Sequence, residues 1–379
     1  MTMDLGLSEE QKMLKDMARD FLTDKFPKEV VKEIEESELG YSPETWKEMA
    51  GLDWMRLVFP EEYGGAGMTF LDLAMLLEEM GAVCLPGPYF STVVLGGLPI
   101  CALGTEEQKK QFLPGIGDGE LIFTLALTEP SASYDAAGVG LATKADGDSY
   151  ILNGTKLFVP DANAANYMLV VARTSRGKSS EEGITIFIVD AKSPGIGCTV
   201  LKTIAGDKLC EVVFDKVKVP RGNILGELDW GWSGVRKIVE TAAVGKCCEL
   251  IGCIQRALDM TIDYAKERKQ YDRPIGSFQV IQHYCADMAT DVDGARLSTY
   301  NVAWMVSEGL PCTAEVAIAK AWAGQASQRV MALAHQIHGA IGVTIDHDLQ
   351  YYTRRAKAAE VTFGDSRFYQ EVVAREMGL

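Results

Sequence analysis

Ser149-Tyr150-Ile151-Leu152-Asn153-Gly154-Thr155-Lys156-Leu157-Phe158-Val159 is the stretch on which the fold class turns. It is short and apolar, and it is interrupted by Asn153-Gly154, a dipeptide that favours a tight turn between strands. The stretch therefore predicts a hairpin, Tyr150–Leu152 against Leu157–Val159. Four runs of similar character surround it: Ile122–Leu127, Met168–Ala172, Ile184–Val189 and Leu209–Val219, rich in Val, Ile, Phe and Leu and punctuated by Gly, Asn, Asp and Ser. They predict antiparallel strands, and together they define a β domain over residues 121–227.

On both sides of this domain the period becomes helical. Within residues 1–120, Ser8 and Gln11 form an S-x-x-Q capping box ahead of Met13, Leu14, Met17, Phe21 and Leu22, which fall on one helical face. Pro27 stops or bends that helix. Leu71–Met80 and Glu106–Leu113 predict further helices, and Tyr63-Gly64-Gly65-Ala66-Gly67, which no phosphate-loop Lys follows, reads as a loop. Residues 228–379 carry apolar residues at three- and four-residue spacing over Val235–Arg268, broken by Pro274. Long segments follow from about Phe278 to Glu308, from Thr313 to His338, and from Asp365 onward, a pattern suited to a helical bundle. The expected class is α+β: helical domain, middle β domain, C-terminal four-helix-type bundle.

Composition narrows the function. The 379 residues hold 37 Lys plus Arg against 53 Asp plus Glu, a net charge of −16 that repels nucleic-acid backbones and anionic membranes. No apolar run approaches the length of a membrane span. Met1-Thr2-Met3-Asp4 lacks the layout of a secretion signal, and the nine cysteines form no C-x-x-C pair, so reduced thiols in a cytoplasmic protein are expected. The four histidines have no metal-ligand spacing, so no metal is expected.

Five segments, in order along the chain, resemble motifs of the acyl-CoA dehydrogenase family. Leu127-Thr128-Glu129-Pro130 with Asp135 is similar to its flavin-edge motif, and Leu152–Phe158 to its N-G-x-K-x-W segment. Val219-Pro220 through Asn223–Glu227 resembles the exit from its β domain. Arg268-Lys269-Gln270-Tyr271 with Pro274-Ile275, Phe278-Gln279, Gln282 and Ala286-Asp287-Met288 resembles R-x-Q-F-G-x-P-I-x-x-F-Q. Gln336-Ile337-His338-Gly339 with Gly342 resembles Q-I-H-G-G-x-G. The resemblance implies FAD as cofactor, an acyl-CoA thioester oxidised at its Cα–Cβ bond, an electron-transfer flavoprotein as acceptor, and a homo- or hetero-tetramer. It also implies roles: Leu127 and Thr128 at the flavin's pyrimidine edge, Phe158 packed on the flavin, and Arg268, Tyr271 and Gln279 toward the pyrophosphate and adenosine. Gln336 and Gly339 would meet the cofactor of a neighbouring subunit. His338 reads as a packing residue.

The departures from the family pattern concern proton removal. The E-G-T triplet that carries the family's usual catalytic Glu aligns with Phe363-Gly364-Asp365, and the alternative location, on the first bundle helix, aligns with Ala242. Neither Phe nor Ala accepts a proton. Tyr134 stands where the family has a small Ser, and Pro160 where a Thr meets the flavin. Two readings follow. In one, a relocated carboxylate serves as base: Asp365 at the customary place, with Glu240 and Glu249 as neighbours on the helix. Against it, Asp365 is equally suited to cap the last helix. In the other, the chain is one subunit of a mixed oligomer, of the kind that acts on steroid side chains, ring-bearing or dicarboxylic acyl-CoA substrates, and a sister chain supplies the Glu. A third reading is a flavin-binding protein with non-redox chemistry on a CoA thioester.

Overall fold

The computed structural model describes residues 6–379, so the reading of Met1–Asp4 lies outside the described residues. The helices of the N-terminal part are α1 (Glu9–Lys25), α2 (Lys28–Glu36), α3 (Pro43–Gly51), α4 (Phe70–Val83), α5 (Leu98–Leu103) and α6 (Glu106–Gly117). The strands β1 (Phe123–Ala126), β2 (Ala142–Asp146), β3 (Ser149–Pro160), β4 (Tyr167–Arg173), β5 (Ile184–Asp190), β6 (Ile196–Leu201), β7 (Leu209–Pro220) and β8 (Ile224–Leu225) follow. Then come α7 (Trp232–Glu267), a small ribbon of β9 (Lys269–Gln270) and β10 (Arg273–Pro274), α8 (Gln279–Ser307), α9 (Thr313–His338), α10 (Leu349–Val361) and α11 (Ser366–Glu376).

By their internal contacts these elements form two compact units. The helical unit gathers the N-terminal stretch through Lys32, Thr69–Leu85 and Ala243–Leu379. Its α1 opens on the expected capping box: the Ser8 hydroxyl accepts the Gln11 N–H and the Gln11 carboxamide accepts the Ser8 N–H, both at 3.1 Å. Leu250, Ile251, Ile254, Met288, Val292 and Val330 belong to its buried core. Helices α4 and α7 meet backbone to backbone at Gly81 and Gly252. A Cβ on Gly81 would lie 2.0 Å from the Glu249 carbonyl oxygen, and one on Gly252 1.9 Å from that of Glu78. Only glycine permits that approach.

The second unit holds Glu33–Met68 and Pro86–Ala242. Its sheet has the order β6-β7-β3-β2-β4-β5-β8, and β1 pairs with β4. Leu152, Val170, Phe187, Val212 and Phe214 are fully or almost fully buried in its core. Two expectations need correction. The β1–β4 pair is parallel, so the sheet is mixed and not purely antiparallel. Ser149–Pro160 is one continuous strand: Asn153-Gly154 marks an irregularity in its register with β7, and the chain reverses at Asp146–Ser149, where Gly147 takes a positive φ. The local turn signal at Asn153-Gly154 yields to pairing along the whole of β3, a common fate of a glycine inside a strand.

Candidate active site

In the β-bearing unit the segment after β1 is clamped from below. Lys156 lies on β3 at an inward position and is fully buried; its ammonium donates to the Leu127 carbonyl at 2.9 Å and to the Glu129 carboxylate at 2.7 Å. Glu129 also accepts the N–H groups of Gly140, at 3.0 Å, and Leu141, at 2.9 Å, while the Thr128 carbonyl accepts the Leu157 N–H. Burial pushes the Lys156 ammonium down to about 8, against the upward pull of the Glu129 carboxylate. Leu127 and Thr128 are thus fixed in place by a desolvated ion pair. Sequence reasoning missed that pair, although Lys156 shares the alternation of Tyr150 and Leu152, which point inward.

Downstream on β3 the register slips between Lys156 and Val159, and Phe158 takes φ +54° with its ring 52% exposed. A non-glycine residue held in this region signals local constraint. The ring is therefore displayed toward solvent by a kinked backbone. Pro160, two residues on, has no N–H to give, and its carbonyl accepts from the Thr124 hydroxyl. Asp161, also at positive φ, accepts from the Ser91 hydroxyl at 2.6 Å. Tyr134 is partly exposed.

In the helical unit the sequence-predicted cofactor residues lie on an exposed arm. Arg268 directly follows α7, and Tyr271 and Asp272, at φ +52° and +62°, form the two-residue turn between β9 and β10. Tyr271 is 89% exposed and meets Phe278 edge-on, while the Arg273 guanidinium lies 4.1 Å above the Phe278 ring. Gln279 is exposed at the start of α8, which has no side-chain cap. The exposed Arg268 guanidinium, the Gln279 amide and the uncapped helix start are donors of the kind suited to phosphate oxygens. Gln336 and Gly339 are exposed at the end of α9, and Gly339, at φ +63° and ψ −142°, sits in a region open essentially to glycine alone. His338 between them is buried, stacks on Tyr264 with ring centroids 4.6 Å apart, and bonds the Ala334 carbonyl, so it packs as expected. That stack joins the last turn of α7 before Arg268 to the end of α9.

At the place that the resemblance assigns to the base, Phe363 adopts φ +60° and its carbonyl accepts the Tyr369 hydroxyl at 2.9 Å. The Asp365 carboxylate accepts the Phe368 N–H at 2.9 Å and caps α11. Ala242 is fully buried, and Glu249 pairs with Lys246 at 2.6 Å. Beneath this segment Lys320, 1% exposed, donates to the Ala359 and Glu360 carbonyls at 2.9 and 2.7 Å and so caps the end of α10. Burial holds its ammonium down to about 8. Among the described residues no cluster of three or more His, Cys, Asp or Glu could hold a metal ion, and no helix is long and apolar enough to cross a membrane.

Sequence profiles of the acyl-CoA dehydrogenase N-terminal, middle and C-terminal domains match residues 8–120, 124–217 and 229–378. Among similar curated proteins is the caffeyl-CoA reductase-Etf complex subunit CarC of Acetobacterium woodii, 34% identical over 97% of this chain and 98% of that protein. Among solved structures, butyryl-CoA dehydrogenase from Megasphaera elsdenii superposes with a TM-score of 0.93 and 30% identity over the whole of both chains. The ChsE4-ChsE5 complex from Mycobacterium tuberculosis superposes at 0.90 with 27% identity, covering 99% of each chain.

Proposed function

From the premise that this chain belongs to the acyl-CoA dehydrogenase family, FAD-dependent oxidoreductases acting on the CH–CH bond of acyl-CoA thioesters, we propose that it works as one subunit of a mixed oligomer. In this assembly it contributes an FAD-binding arm to a sister chain, and the sister contributes the carboxylate that removes the α-proton. One observation carries the proposal: at the place of the customary base the chain has Phe363, and the nearest carboxylate, Asp365, is engaged as a helix cap. A carboxylate that accepts a backbone N–H at a helix start is engaged there and turned away from other tasks. Ala242 at the alternative place and the Lys246 partner of Glu249 support the same reading. A mixed complex, ChsE4-ChsE5, stands among the structural relatives.

When bound, FAD supplies the redox chemistry at the CH–CH bond. Arg268 and the uncapped start of α8 at Gln279 would meet its phosphate oxygens, with Tyr271, Gln336 and Gly339 completing the arm. In the β-bearing unit the Lys156–Glu129 pair would keep Leu127 and Thr128 in position at the flavin edge, and Phe158 would offer a flat apolar surface. Pro160 withholds a donor there, and Phe363 makes an apolar wall that neither takes nor gives a proton. The arm keeps its donors, whereas the chain has Pro160 beside its own flavin edge and Phe363 at the base place, and this imbalance supports a lending subunit. An electron-transfer flavoprotein is the acceptor this reading expects, and CarC is named as a subunit of a reductase-Etf complex.

The test is to purify the chain alone and measure flavin per chain together with native mass. The expected result is little flavin alone, and full flavin when a Glu-bearing family member is co-expressed and co-purifies. One FAD per chain in a homo-oligomer that bleaches with an acyl-CoA ester overturns the proposal. In that case Asp365→Asn, sparing flavin content while abolishing bleaching, identifies a relocated base.

A further inference from the structure

The edge strand of the sheet carries a pair of thiols that the proposed reaction does not use. In the β6–β7 register Cys198 faces Val212 and Val200 faces Cys210, so Cys198 and Cys210 are diagonal neighbours on one face. Cys198 is exposed and Cys210 is buried. The Cys210 thiol also faces the Asn163 carboxamide oxygen at 3.9 Å. We infer that Cys198 and Cys210 form a reversible dithiol–disulfide pair, with Cys198 the peroxide-reactive thiol and Cys210 the resolving one.

The chemistry suits the two positions. The neighbouring Cys210 thiol lowers the pKa of Cys198 below the ordinary thiol range, so its thiolate is favoured where peroxide can reach it. Cys210 shifts the other way, held protonated by the neighbouring Cys198 and by burial, and oxidation of Cys198 removes the first of these causes. The Cys198 thiolate attacks one oxygen of hydrogen peroxide; the O–O bond breaks, leaving a sulfenic acid on Cys198 and a hydroxide that takes up the proton Cys198 released on ionising and leaves as water. The Cys210 sulfur then attacks the Cys198 sulfur, the S–S bond forms, and the sulfenic oxygen departs with the Cys210 proton as a second water. Two thiols are oxidised and one peroxide is reduced to two waters.

Diagonal partners in a sheet sit at about 7–8 Å between Cα atoms, beyond the roughly 7 Å that a relaxed disulfide spans. Closure therefore draws β6 toward β7. β6 lies at the sheet edge, paired to β7 alone in the strand order, and Gly197 precedes Cys198. A bridge made under such strain is readily reduced, which marks a labile and not a structural disulfide. Cys84 and Cys253 are also free thiols, but both are buried in the helical core, where peroxide has no access. They are an internal control.

The test takes the full chain as purified, reduced and desalted, and exposes it to hydrogen peroxide. Free thiols are then blocked with N-ethylmaleimide in denaturant, and the digest is mapped without reduction. The expected result is a linked Cys198–Cys210 peptide, two hydrogens lighter than its parts, with alkylation of both residues lost together and restored by dithiothreitol. Cys84 and Cys253 stay alkylated. In Cys210→Ser the reaction stops at Cys198, which dimedone then labels. A linkage found only between two chains, oxidation of Cys198 that leaves Cys210 free in the unsubstituted protein, or no reaction at Cys198 each overturns the inference.

Discussion

Lys156→Met tests whether the buried ion pair holds the Leu127–Glu129 segment. Methionine fills nearly the same volume, so packing changes little and the perturbation is electrostatic. The substitution removes two ammonium donors, one at 2.9 Å from the Leu127 carbonyl and one at 2.7 Å from Glu129. Removing one member of a buried pair costs about 3–5 kcal/mol, because the remaining charge is left without its partner. Glu129 keeps the Gly140 and Leu141 N–H groups, so the loss falls at the lower end, about 3 kcal/mol. Urea unfolding read by hydrogen exchange on β1, β2 and β3 peptides reports the change where it occurs. Lys156→Met with Glu129→Gln should recover most of the loss, with a coupling energy of at least about 1.5 kcal/mol. A Lys156→Met protein within about 0.5 kcal/mol of the parent, or strictly additive single changes, refutes the clamp.

Three further outcomes are expected. Gly252→Ala drives a methyl group into the α4 backbone, and soluble yield and Tm should fall steeply, by the equivalent of about 3 kcal/mol or more; an unchanged Tm contradicts the backbone-to-backbone crossing. Phe363→Glu, loaded with FAD, should gain bleaching by acyl-CoA esters that the parent chain lacks, read as loss of visible flavin absorbance across straight-chain, branched and aryl esters. Lys320 is held down to about 8 by burial, so between there and the ordinary lysine range the unfolded chain binds the proton and the folded one does not. Stability of the parent relative to Lys320→Met should therefore rise as pH increases from about 8 to about 10, by up to about 3 kcal/mol. Paired urea titrations check this, and a flat or falling difference rejects it.

The legible parts of this fold are those whose causes are local. The Ser8–Gln11 box needs four residues, and the long apolar period of Thr313–His338 is bounded by its own chemistry, so both are read correctly. The Asn153-Gly154 turn fails because its competitor, pairing with β7, lies some sixty residues away. The strand β2 was missed since Ala142–Asp146 is mostly exposed and has no apolar alternation to show. At the candidate site the arm residues stand out through their motif order. The partners of Lys156 and Lys320 do not, because a buried lysine and the carbonyls it holds are far apart in sequence.

The helical unit is assembled from widely separated parts of the chain, and this bears on how the protein is made. During synthesis from the N-terminus, α1 and α4 leave the ribosome long before the segment from Ala243 onward that completes their unit. At ordinary elongation rates the interval is on the order of ten seconds. Throughout it α4 presents Leu73, Met75, Leu76, Leu77 and Met80, all buried in the finished protein. Nascent chains stalled before Ala243 should therefore recruit holding chaperones at α4, and release should coincide with the emergence of α7 and α8.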